Sequence, residues 1–483
     1  MTDHPALLDA AGIERLREAL SAATYTSRGI ADRIGAPAVA ALRRNDARAA
    51  LRETTGHDPL ATLIRLFVCG QTEPVAAVAA ALTLPDLEPA GLVVRDGDGI
   101  RAAVDLEPYG DTWWVVSDLA GGPLAGDHVL GVGGASGTLT AATPRQPVAD
   151  ALDLGTGCGV QALHLSTHAT RVTATDVSER ALRFAATTAA LNGLDWELLS
   201  GDLTAPVAGR RFDLVVSNPP FVVGPGTATY SYRDSGRPGD ALSAELAAAA
   251  PALLTEGGTL QYLANWVHVR GADWTERVAG WVAGTGLDAW VIQREVSDPV
   301  SYVRLWLADA AERTDPAQLA AWLDWFDANQ VEAVGFGLVT LRRSGHAEPV
   351  VRIEELRQAV DQPLGVQVAG WFERQDWLRS AGSLFGHRYR MAAGLRLRQE
   401  ATIGDEGWAV DRQSLELPSG LRWSQEVDPL ILALVSGCDG TVALGDQLAV
   451  LAAAHEVTEA ALAEVVGPIV GHLVERGFLE VLE

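Results

Sequence analysis

Ala151-Leu152-Asp153-Leu154-Gly155-Thr156-Gly157-Cys158-Gly159-Val160 sets the architecture. An apolar strand runs into a glycine-rich turn and then a helix, so backbone N–H groups and a ligand can meet without Cβ interference. Outward from this stretch, strand-like runs at 149–154, 172–176, 212–217 and 259–264 alternate with helical patterns. Runs at 289–293 and 334–342 suit closing strands around a Trp-rich helix at 317–326. The alternation predicts an α/β, Rossmann-like domain: a parallel sheet with helices on both faces, spanning 106–344.

Spacing within the turn separates its candidate ligands. A dinucleotide fingerprint reads G-x-G-x-x-G, whereas Gly155, Gly157 and Gly159 form G-x-G-x-G with Asp153 before them, which favours S-adenosyl-L-methionine over NAD. Asp176 ends the second strand, placed to accept the hydroxyl protons of a ribose, a device that NAD sites share. Asp202 follows the third strand, where it can accept an adenine amino proton while Leu203 covers the ring. Thr156 lies within the turn.

The fourth strand runs into Asn218-Pro219-Pro220-Phe221. Two prolines fix a rigid turn at the carboxyl edge of the sheet, where open α/β folds bind ligands. There the Asn218 side-chain oxygen and the Pro219 carbonyl can both accept from one –NH2 group, Pro220 borders the acceptor, and Phe221 can stack on its plane. A base or amide nitrogen is a poor nucleophile because its lone pair is delocalised. Two acceptors aimed at its protons favour pyramidalisation and free the lone pair for a sulfonium methyl. This chemistry needs no metal and no covalent nucleophile.

On the strength of the G-x-G-x-G turn, the strand-end carboxylates and the Asn-Pro-Pro-Phe turn, residues 106–343 resemble the small-domain class I S-adenosylmethionine-dependent methyltransferases. That group includes ribosomal-RNA guanine-N2 and release-factor glutamine methyltransferases. The resemblance implies a seven-stranded core, with Asp153, Gly155, Gly157, Gly159, Asp176 and Asp202 holding the cofactor and Asn218, Pro219 and Phe221 holding the acceptor nitrogen. It also places residues 129–139 as a loop over the methionine end of the cofactor, with Ser136 bonding its carboxylate. Two departures are visible: 141–147 lacks the Arg-Pro-Glu-Thr-Glu box of the glutamine enzymes, and the acceptor motif ends in Phe221 rather than Tyr.

Beyond the motifs, Tyr230, Tyr232 and Arg233 mix rings and guanidinium in the loop after the fourth strand, suited to an acceptor-recognition lid. Asp240 reads as the N-cap of a helix at 241–250. Trp113, Trp114, Trp322, Trp325 and Phe326 read as core or interface rings, and His268 as a satisfied edge histidine.

Length and charge bound the rest. At 483 residues the chain has room for about three domains. We expect a helical, winged-helix-like N-terminal module at 1–105 with a hairpin turning at Arg95-Asp96-Gly97-Asp98-Gly99, and a small α+β, winged-helix-like module at 345–483. The net charge of −25 disfavours a general polyanion binder. Residues 374–398 form the one conspicuously basic segment, a surface for RNA or simply a solvated face. Three dispersed cysteines suggest a reducing cytoplasm, and no apolar run reaches membrane-spanning length.

These features predict an N-methyltransferase acting on a macromolecule, either an RNA base or a protein side chain. The alternatives are a small-metabolite N-methyltransferase and a non-catalytic, cofactor-sensing DNA-binding regulator. An intact Asn-Pro-Pro-Phe turn speaks against the regulator, because a sensor has no use for amine-orienting acceptors.

Overall fold

The computed structural model describes residues 4–44, 46–119, 126–226, 234–309, 316–404 and 407–482. They divide into two compact units, Met1–Thr140 with Gln146–Leu356, and Ala141–Arg145 with Arg357–Glu483.

The first unit is organised by one mixed sheet of eight strands: β1 (Val148–Leu154), β2 (Ala169–Asp176), β3 (Glu197–Ser200), β4 (Phe212–Ser217), β5 (Leu254–Val269), β6 (Asp288–Ser297), β7 (Val331–Arg342) and β8 (Val351–Glu355). Their order is β8-β6-β7-β5-β4-β1-β2-β3. Strands β3, β2, β1, β4 and β5 run parallel, and β7 is antiparallel to both β5 and β6. This is a Rossmann-like core. Parallel strands covered on both faces read as continuous apolar runs, which is why β1, β2 and β4 stand out in the sequence. Trp266 of β5 and Trp290 of β6 are almost wholly buried in this unit.

The sheet differs from the expected seven strands by the edge strand β8, which pairs in parallel with β6. Its residues Val351-Arg352-Ile353-Glu354-Glu355 are half-buried or exposed, so the apolar signal is weak. Side chains anchor it instead: Trp290 Nε1 donates to Glu354 at 2.7 Å, and Gln293 Nε2 donates to Glu355 at 3.2 Å.

Within the same unit, N-terminal helices include Ala10–Ala22 and Ser27–Leu42, the latter broken at Gly35, whose φ of 75° is left-handed. The expected hairpin forms from Val93–Asp96 and Gly99–Ala102, with Asp96 opposite Gly99 across a two-residue turn. Glu73–Pro74 joins it as a third strand. This region packs on the core: Leu7 N donates to Thr187 Oγ1 at 2.9 Å, and the buried Tyr25 hydroxyl donates to the Leu106 carbonyl at 2.9 Å.

The second unit has helices Gly365–Ser380, Pro429–Ser436, Leu444–Ala454 and Glu459–Glu475, and a three-stranded sheet of Arg388–Met391 between Asp439–Ala443 and Leu479–Leu482. Four guanidiniums of the basic segment are engaged here. Arg374 Nε donates to the Glu475 carbonyl oxygen at 2.8 Å, while Arg379 pairs with Asp376, Arg390 with Glu480 and Arg398 with Glu416. Tyr389 is core, and Trp377 and Phe385 pack against that core. Among the described residues no helix is long and apolar enough to cross a membrane.

Candidate functional site

Strand register brings the motif residues to one level. Leu154, the last residue of β1, lies opposite Ser217 of β4 on one side and Thr175 of β2 on the other, and Asp176 lies opposite Ser200 of β3. Neighbouring strands are about 4.8 Å apart, so Gly155 and Asn218 leave the sheet side by side. The Ser217 hydroxyl ties the two strands by donating to the Leu154 carbonyl at 2.7 Å.

The glycine turn is held from below. Gly155 and Thr156 donate to the Thr175 carbonyl at 2.9 and 2.8 Å. Asp176 accepts from Gly157 N and Ser178 N, both at 2.9 Å, so one carboxylate clamps the turn. Burial pushes its carboxyl above the usual range. The turn needs glycine for two different reasons. Gly155 and Gly157 have φ of 76° and 56°, and a Cβ there would project into open space where a ligand can lie. Gly159 is left-handed too, at φ 89°, and there the Cβ would in addition stand 2.7 Å from the Trp196 ring. We predict that Gly159→Ala costs about 1–3 kcal/mol of stability through overpacking, read as a lower urea midpoint; an unchanged midpoint would contradict this packing.

Asp153 lies beneath the turn and is fully buried. Its Oδ2 accepts from Thr156 Oγ1 at 2.7 Å and from Ala162 N at 3.0 Å, so it braces the loop and the helix that follows. Its Oδ1 is buried with no hydrogen-bond partner. Burial raises this carboxyl to about 7. The unfolded chain releases the same proton near pH 3.9, so the stabilisation is complete below that value and is lost as pH rises toward about 7. Wild type should therefore lose about 2–3 kcal/mol relative to Asp153→Asn between about pH 5 and about pH 7. Urea titrations of both proteins check this, and a pH-independent difference would refute the raised carboxyl.

On the acceptor side, Asn218 Nδ2 reaches Ser136 Oγ at 3.4 Å, and the Ser136 carbonyl accepts from Gln161 Nε2 at 3.0 Å. Gln161 sits in the helix after the glycine turn, so Ser136 bridges the two motifs. Ser136 lies in helix Gly134–Ala142, whereas the sequence suggested a loop over 129–139; the run of small residues there tolerates helical packing as well as it does a loop. With its nitrogen end so engaged, Asn218 presents Oδ1, which is buried and has no partner. Pro219 is buried and Pro220 half-buried. The half-buried Phe221 ring packs on Trp306 and Phe336, with centroids 5.9 and 5.6 Å away. Phe221 also forms a β-bridge with Asp234. Tyr230, Tyr232 and Arg233 lie outside the described residues.

At the expected adenine end, Asp202 is exposed and accepts from Arg237 Nη2 at 3.0 Å, while Arg237 Nε donates to Glu245 at 2.6 Å. Leu203 adopts a left-handed φ of 46° and packs partly against the core.

Several expectations shift. Asp240 precedes helix Ala241–Leu253, yet its side chain makes no cap bond. It is buried instead, in a two-pronged pair with Arg277 at 2.7 and 2.6 Å, and accepts from Val267 N at 3.2 Å. A buried carboxylate is better served by a guanidinium than by one amide. His268 shares a 2.8 Å hydrogen bond with Gln293 Oε1 and stacks on Trp274. Trp322 and Phe326 are core, Trp325 packs beside them, Trp113 stacks on Tyr109, and Trp114 Nε1 donates to the Tyr25 carbonyl.

Other groups at the site went unnoticed in the sequence. Glu107 accepts from Val132 N at 3.0 Å and is pushed upward by burial, and nearby Asp105 rises to about 7 for the same reason. The signal was two acids alternating with the buried Leu106. Tyr302 accepts from Val223 N at 2.8 Å and from Asn265 Nδ2 at 2.6 Å, so it pins the chain just after Phe221. Asn265 Oδ1 is also buried without a partner.

Comparison with known proteins agrees with this geometry. Residues 132–270 match the family described as methyltransferase small domain. Residues 22–103 and 369–481 match two domains of unknown function, DUF7059 and DUF7782. Ribosomal RNA small subunit methyltransferase C of Alcanivorax borkumensis is 35% identical over 114 residues, 24% of this chain and 31% of that protein. Release factor glutamine methyltransferase of Deinococcus radiodurans is 41% identical over 120 residues, 23% of this chain and 43% of that protein. Ribosomal protein uL3 glutamine methyltransferase of Bradyrhizobium diazoefficiens is 38% identical over 111 residues, 22% and 34% of the two chains. The chain thus spans less than half the length of each.

Proposed function

We propose that this chain, whose residues 132–270 carry a methyltransferase small domain, is an S-adenosylmethionine-dependent N-methyltransferase acting on a planar amino or amide nitrogen of RNA or protein. The carrying observation is the buried, unpartnered Oδ1 of Asn218, one rung from the glycine turn. A buried acceptor without a donor is costly unless a ligand completes it.

The residues fit the cofactor: open space above Gly155 and Gly157 and the carboxylate of Asp176 at the turn. When bound, S-adenosylmethionine supplies an electrophilic methyl on a sulfonium. The chain does the rest by placement. Asn218 Oδ1 and the Pro219 carbonyl accept hydrogen bonds from the two amine N–H groups, which localises the lone pair; Ser136 fixes the amide rotamer; Phe221, steadied by Trp306 and Phe336, sets the plane of the acceptor. The methylated nitrogen loses a proton to water, so no side chain need act as base, in keeping with the engagement of His268 by Gln293.

The test is transfer of tritiated methyl to fractionated extract, with RNase and protease controls. Label that RNase or protease removes, and that Asn218→Ala abolishes, supports the reading. Label confined to small molecules would move the substrate to a metabolite, and no transfer at all would overturn the activity.

A further inference from the structure

The second unit carries a second sheet, formed by β9 (Arg396–Gly404), β10 (Gly407–Glu416) and β11 (Ser424–Glu426), in that order. β9 is an edge strand nine residues long, exposed throughout. Long unprotected edges are templates for pairing, and proteins normally cover or blunt them. This sheet is two-faced. Arg396, Arg398, Glu400, Arg412, Glu416 and Glu426 occupy a polar face on which the charges largely pair off, Arg398 with Glu416 at 2.8 Å and Arg412 with Glu426 at 2.9 Å. The other face is apolar. Its inner end, at Leu415, is buried in the core of the unit, but its outer end is open: Trp408 is 75% exposed, Ile403 63%, Val410 51% and Leu397 46%. The register pairs Ile403 with Trp408 and Ala401 with Val410, so these four side chains form one patch. The six charges of this polar face balance, three Arg against three Glu.

We propose that β9 pairs antiparallel with β9 of a second copy of this chain, about a two-fold axis through Gln399. That register alone satisfies both faces. It sets Arg398 opposite Glu400 of the second copy, and Glu400 opposite Arg398. It sets Leu397 opposite Ala401 on the apolar face, so the two apolar patches meet across one continuous sheet of six strands. Moving the axis to Arg398 or to Glu400 opposes like charges directly. A half-step shift puts apolar against charged residues, because it exchanges the faces. The bulge near residue 411 lies in β10, which leaves β9 regular and able to pair along its length. A self-complementary patch of this kind is the requirement for an isologous dimer.

Sedimentation equilibrium of the full chain tests the pairing. Wild type should run at twice its 51.0 kDa mass. Arg398→Glu and Glu400→Arg should each weaken association by roughly tenfold or more, since each opposes like charges twice across the axis. An equimolar mixture of the two variants should recover the dimer, because each then meets its complement. Recovery also shows that both variants fold. A wild type of 51.0 kDa at every concentration, single variants as dimeric as wild type, or a mixture that stays monomeric would each overturn the proposal.

Discussion

Asn218→Ala is expected to lower kcat/KM for methyl transfer by about 100- to 1,000-fold, the usual cost of deleting one preorganised polar group aimed at a transition state. S-adenosylhomocysteine affinity should change little, because Asn218 lies one strand away from the glycine turn and two from Asp176. The reason is local. The amide is tethered at its nitrogen end by Ser136, and its oxygen is buried and unclaimed, so it stands ready for a donor on the acceptor. Asn218→Asp separates charge from geometry: it keeps an acceptor but adds a negative charge and removes the donor to Ser136, so it should retain part of the activity. Calorimetry and single-turnover rates check both variants. A large loss of cofactor affinity in Asn218→Ala would place the residue on the wrong side of the reaction.

Asp176→Ala should produce the opposite split, with S-adenosylhomocysteine affinity falling by roughly 100-fold or more. Two backbone amides, Gly157 N and Ser178 N, lose a charged acceptor, and each such bond is worth about 1.5–3 kcal/mol. The turn then relaxes, and the ribose loses its carboxylate as well. Asp176→Asn keeps one acceptor oxygen and should sit between the two. Thermal unfolding of each variant separates a loosened site from a lost fold. Unchanged affinity in a folded Asp176→Ala would mean that the ligand lies elsewhere.

The sequence carried the core of the sheet and the motif residues for a shared reason. Strands buried on both faces are predominantly apolar, and a turn that a ligand approaches closely favours glycine. Both demands are written in consecutive residues. The features that escaped depend on residues far apart in the chain. The β8 edge strand is half-exposed and held by side chains of β6. Asp240 found Arg277, a guanidinium 37 residues away, in preference to its own helix. The segment 374–398 looked basic because its partners, the Glu475 backbone carbonyl and the carboxylates of Glu480 and Glu416, arrive from other elements. Tyr302 and Asn265 meet only because β5 and the helix Pro299–Asp309 converge behind Phe221. Charge counted along the chain cannot register any of these pairings.

A crystal structure of the chain with S-adenosylhomocysteine would test the account most directly. The adenosine should lie over Gly155 and Gly157 with its ribose hydroxyls on Asp176, and its sulfur should face the Asn218 amide oxygen within one cleft. A nucleoside bound away from the glycine turn, or an Asn218 side chain shielded from the sulfur by intervening residues, would contradict it.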